Sequence, residues 1–72
     1  MQINVNGRIV TANKPRYSYE EIVAIAGKAG NPTTVYYWQG PGDITRQGTL
    51  YTGKSINVED GMQFTCVHTG NA

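Results

Sequence analysis

Two neighbouring residues carry the most reactive chemistry in this sequence. Cys66 is the only thiol and His68 the only imidazole, two positions apart in MQFTCVH. A thiol with an adjacent base is a nucleophilic pair, and an imidazole titrates close to neutral pH. A catalytic pair must lie within hydrogen-bond reach, whereas i and i+2 neighbours on one strand face stand ~6–7 Å apart. Cys66 also alternates with Phe64 on what reads as a core face, the usual place for a free cysteine. The thiol therefore reads as structural, and His68 as a solvated or capping residue at a strand end. One cysteine and one histidine fall short of a four-ligand metal site. Asp60, beside Gly61, reads as turn chemistry. With no credible catalytic constellation, the chain is expected to be neither an enzyme nor a cofactor carrier.

Two further stretches could act through recognition. After the last strand come Thr69, Gly70, Asn71 and Ala72. A short polar end is either a frayed terminus or a segment on which another protein works. Gly70, lacking a Cβ and free to take any φ, suits the second reading. In TTVYYW, Tyr36 and Trp38 share one face and Val35 and Tyr37 the other. If Val35 and Tyr37 point inward, Tyr36 and Trp38 lie on the wet side of the sheet. Thr65 and Val67 of the last strand would then stand beside them, forming a partner surface. The opposing reading is that the glycine-rich segment QGPGDITRQG folds over the patch and buries it.

The elements that position these residues are legible from local patterns. QINVNGRIV holds two short alternating runs around Asn6-Gly7, a dipeptide suited to a tight hairpin turn. Ile3 and Val5 define its core face. TANKPRY reads as a connector. SYEEIVAIAGKAG reads as the only helix: Ser18 is an N-cap and Glu21 completes a capping box. Glu20 and Glu21 put negative charge at the positive end of the dipole. Ile22, Ile25, Ala26 and Ala29 form an apolar stripe, and Gly27 or Gly30 ends the helix near Lys28. TTVYYW is a strand, TLY a short one with Leu50 inward, and SINVEDGMQFTCVH a strand or turn followed by the final strand.

The order ββ-α-ββ(β) predicts an α+β domain of the β-grasp type, a mixed four- to five-stranded sheet crossed by one helix. Its first and last strands lie parallel at the centre. Residues 1–68 form the domain and 69–72 a tail.

Composition bounds the function further. Seventy-two residues with 39% hydrophobic content make one small domain. Six basic and five acidic residues give a net charge of +1, which lacks the basic stripe of a dedicated nucleic-acid binder. Lys14 and Arg16 beside Pro15 read as a solvated loop. No apolar run approaches membrane-spanning length, and no charged leader precedes an apolar core, so no signal peptide is expected. A lone cysteine suits a reducing compartment, which predicts a cytoplasmic location.

The segments INVNGRIV, YSYEEIVAIAG and GTLYTGKSINVEDGMQF together resemble the bacterial ubiquitin-like modules of the multiubiquitin family, over nearly the whole chain. Members are encoded beside activating-enzyme, conjugating-enzyme and JAB-type metallopeptidase homologues, and the resemblance makes these the expected partners, together with target proteins. It implies a modifier whose C-terminal carboxylate is adenylated, passed to a cysteine thioester and joined to an acceptor, in antiphage defence. Modifiers of this kind commonly end in Gly-Gly, whereas this sequence reads Gly70-Asn71-Ala72. Gly70 becomes the conjugated residue if a peptidase removes Asn71 and Ala72; otherwise Ala72 would carry the activated carboxylate. A second expectation is non-covalent self-assembly into a homo-oligomer or filament through the aromatic face or the tail. A sulfur carrier, which also needs terminal Gly-Gly, and nucleic-acid stacking on Tyr36 and Trp38 are less favoured.

Overall fold

Asn6 and Gly7 set the starting geometry. Both adopt positive φ, 53° and 82°, as the centre of a two-residue hairpin turn requires. They join β1 (Gln2–Val5) to β2 (Arg8–Thr11), with Val5 opposite Arg8 and Ile3 opposite Val10. Ile3 and Val5 are buried as expected. The computed structural model describes residues 1–28, 30, 32–39 and 47–68.

The helix α1 (Tyr19–Ile25) begins and ends as the sequence predicts. The Ser18 hydroxyl accepts from the Glu21 backbone N–H at 3.1 Å, and the Glu21 carboxylate accepts from the Ser18 N–H at 2.9 Å. At the far end the Gly27 N–H donates to the Ala24 carbonyl and the Lys28 N–H to the Val23 carbonyl, both at 3.0 Å. These two crossed bonds, with Gly27 at φ 74°, are a Schellman stop. The apolar stripe needs one correction. Ile22 is buried, but its fully buried partner is Val23, while Ile25 and Ala26 are only partly covered. Two elements pack on the helix from different sides, so its covered face is wider than a single stripe. Ala29 lies outside the described residues.

The connector also needs correction. Arg16–Ser18 is a strand, β3, pairing antiparallel with β6 (Ser55–Asn57) in a separate two-stranded sheet. Tyr17 stands opposite Ile56 and is buried, its hydroxyl bonded to Asn13. Nothing local announces this strand, because its partner lies far away in sequence.

The main sheet runs β2-β1-β7-β4-β5, with β4 (Thr33–Trp38), β5 (Gln47–Leu50) and β7 (Gln63–His68). β1 and β7 are parallel and the other pairs antiparallel. One helix crossing this mixed five-stranded sheet is the β-grasp fold, as the order of elements predicts. Ile3, Val5, Val35, Leu50, Phe64 and Cys66 on its inner face meet Ile22 and Val23 of α1 in one core. Burying each large side chain of this kind contributes about 1.5–3 kcal/mol.

At the centre of the sheet, β1 ends while β7 continues, and Asn6 bridges the gap. Its backbone N–H donates to the Phe64 carbonyl at 2.9 Å. Its side-chain oxygen then accepts from the Cys66 N–H at 2.7 Å, and its side-chain nitrogen donates to the Cys66 carbonyl at 3.2 Å. The side-chain amide thus replaces a peptide unit and prolongs the ladder by one residue.

Candidate functional site

Strand alternation places every second residue of the main sheet on the face opposite α1. Tyr36 sits directly across from Thr65 of β7 and from Thr49 of β5. Trp38 follows two positions along β4, across from Gln63 and Gln47, and Val67 stands across from Thr34. The four residues expected at a partner surface, Tyr36, Trp38, Thr65 and Val67, therefore share this face. Tyr36 and Val67 are 46% and 43% exposed, while Trp38 and Thr65 are half-buried. Val35 is buried inside and Tyr37 packs against the core, so the two faces of β4 divide as the sequence implies. Most of the segment proposed to fold over this patch, residues 40–46, lies outside the described residues.

One residue of the face escapes the sequence reading. Ile9 of β2 stands across from Asn4, points outward and is 61% exposed. The signal was present: a two-residue turn at Asn6-Gly7 fixes the register of β2, and with it the side on which Ile9 emerges. Every outward position on the five strands is uncharged. Threonine, asparagine and glutamine fill the space between Ile9, Trp38, Tyr36 and Val67. Such a surface loses little on desolvation and presents aromatic anchors, the composition of an interface core.

Cys66 and His68 do not form a working pair. Cys66 is buried, with its backbone clasped by Asn6, while His68 is exposed at the end of β7 opposite Thr33. Burial pushes the Cys66 thiol above its ordinary range, with the Lys28 charge pulling weakly the other way. A thiol held protonated and shielded is a poor nucleophile. Asp60 accepts from the Gln2 N–H at 2.8 Å, and Gly61 turns at φ 84° with its N–H on the Gln2 carbonyl. That is turn chemistry. Among the described residues no group of three or more His, Cys, Asp or Glu could hold a metal ion. No helix among them is long and apolar enough to cross a membrane.

Lys14 is not a free loop charge. It pairs with Glu21 and lies 5.1 Å from the centre of the Tyr17 ring. The Lys14 ammonium and the Ser18 N–H hold the Glu21 carboxyl below its ordinary range. Gly70, Asn71 and Ala72 lie outside the described residues, which reach His68 at the end of β7.

No curated protein and no solved structure matches this chain. A protein-family model does: the one described as Multiubiquitin matches residues 1–70.

Proposed function

The chain belongs to the multiubiquitin family, and from that premise we propose that it is a ubiquitin-like modifier of a bacterial conjugation pathway. The observation that carries the reading is the extent of the family match, which runs through the whole β-grasp domain and stops at Gly70. A JAB-type metallopeptidase hydrolyses the peptide bond after Gly70, releasing the residues beyond it, Asn71 and Ala72. The freed Gly70 carboxylate attacks the α-phosphorus of ATP on the activating enzyme, expelling pyrophosphate. A cysteine thiolate then displaces AMP, and the thioester passes to the conjugating enzyme. A nucleophile on the target protein finally displaces that thiolate, so the module is substrate and not catalyst. The open face with Tyr36, Trp38, Thr65 and Val67 docks the pathway's enzymes. The setting is the cytoplasm and the role antiphage defence.

Incubation with the cognate activating enzyme, conjugating enzyme, peptidase and ATP, followed by intact mass measurement, tests this. The expected product has lost everything after Gly70 and gained a covalent acceptor. A chain that is never trimmed and never joined to anything overturns the reading.

The uncharged aromatic face favours a second reading, non-covalent assembly of copies into an oligomer or filament. Light scattering across a concentration series separates the two. A monomer at every concentration excludes assembly, and assembly lost in Trp38→Ala supports it. A sulfur-carrier role is less favoured, because Gly70 is followed by Asn71 where that chemistry needs a terminal Gly-Gly.

A further inference from the structure

The main sheet has two edges, and they differ. β2 carries the charge of Arg8, whereas β5, Gln47–Leu50, carries neither a charge nor a proline. Among the described residues β5 pairs only with β4, leaving the backbone groups of its other side unpaired. Proteins usually guard such an edge.

Two grooves flank β5, one on each face of the sheet, and both are lined by Tyr37 and Gln47. The inner one, about 380 Å³, lies between the main sheet and the β3–β6 pair and is bordered by Arg16 and Met62. The outer one, about 340 Å³, is bordered by Tyr36 and Trp38. Gly48 opens the way between them. A Cβ there would lie 2.8 Å from the Tyr37 hydroxyl and 3.0 Å from its ring. The missing side chain lets Tyr37 lie across β5.

Arg16 is oriented but not neutralised. Its Nε–H donates to the Ser55 hydroxyl at 2.7 Å and its Nη1 to the Asn57 side-chain oxygen at 3.5 Å, both uncharged acceptors. The ion pair among the described residues is Lys14 with Glu21, and no carboxylate meets Arg16.

We propose that the free edge of β5 is a strand-addition site for an extended segment of a partner protein in which acidic and apolar residues alternate. Successive side chains of an added strand point to opposite faces. One set turns inward, where a carboxylate meets the Arg16 guanidinium. The other turns outward against Trp38 and Tyr36. Backbone hydrogen bonds to β5 provide the attachment, and the two grooves set the sequence preference. The site needs neither trimming nor conjugation, so it stands apart from the modifier reading.

The test titrates the full ¹⁵N-labelled chain with a short capped peptide alternating valine and glutamate. Saturable amide shifts centred on Gln47–Leu50 are expected, with binding weakened about tenfold in Arg16→Ala, the loss of one charge-assisted hydrogen bond. Amide dispersion of the variant verifies that it is folded. A peptide with lysine for glutamate should bind far more weakly, and one N-methylated at every residue not at all. Shifts centred on Arg8–Thr11, equal binding of either control peptide, or no saturable shift would each overturn the proposal.

Discussion

The two faces of the main sheet are made from the same strands, one residue apart. Val35 has no exposed surface and Tyr36 is nearly half exposed; Phe64 and Cys66 are buried while Val67 between strand end and Thr65 meets water. Covering one face with α1 commits it to stability, since each inner side chain is surrounded and cannot change size without leaving a void. The outer face has no such neighbours. Its residues are held in register by the inner ones, which leaves them free to serve a partner. In a chain this short, the helix suffices to cover one face only.

Phe64→Ala should have the largest effect on this contrast. Truncating a fully buried phenylalanine costs about 3–5 kcal/mol, comparable to the whole stability expected of a small domain. Urea denaturation followed by circular dichroism should find the variant largely unfolded without denaturant. A cost below about 1 kcal/mol would mean that the inner face is not the core.

Asn6 comes next, because it ties the turn to the centre of the sheet. Asn6→Ala should cost about 1–3 kcal/mol, by exposing the Cys66 backbone to an unmade pair of bonds and by placing a Cβ residue at positive φ. Asn6→Gly keeps the turn conformation and loses only the clasp, so it should cost less. Equal costs for the two variants would show that backbone conformation is irrelevant there.

The helix cap is a smaller contribution to the covered side. Ser18→Ala should cost about 1 kcal/mol. The Glu21 half of the box predicts a pH dependence. Glu21 holds its proton less readily folded than unfolded, owing to Lys14 and then Ser18. Its stabilisation is therefore complete above the unfolded value of about 4.3 and is lost as pH falls through the lower folded value. Thermal melts from neutral pH down to strong acid should show this loss reduced in Glu21→Gln.

The elements that were legible in the sequence are those whose cause is local. Asn6-Gly7, the Ser18–Glu21 box and Gly27 each specify their own geometry within a few residues, and the alternation in TTVYYW assigns both faces of β4. What escaped depends on distant partners. β3 exists because Arg16–Ser18 meets Ser55–Asn57, and the clasp of Asn6 on Cys66 spans 60 positions. Val23 is buried because two elements cover α1, whereas helical spacing alone favoured Ile25. The candidate surface was readable as far as its strands were, and Ile9 was missed only because β2 was never assigned a face.

Tyr36→Ala should have the smallest effect on folding and gives the sharpest test of the contrast. An exposed residue away from caps and buried networks changes stability by about 0.5 kcal/mol or less. The cross-strand contact with Thr65 contributes on the same small scale. The same substitution removes an aromatic anchor from the open face, where truncation at the centre of an interface costs about 2 kcal/mol or more of binding. Unfolding should therefore be nearly unchanged while docking to an activating enzyme, or association between copies, falls by at least about tenfold. Should the isolated monomer lose more than about 2 kcal/mol instead, Tyr36 belongs to a covered face, and the division of the sheet into a stabilising side and a binding side fails at its central strand.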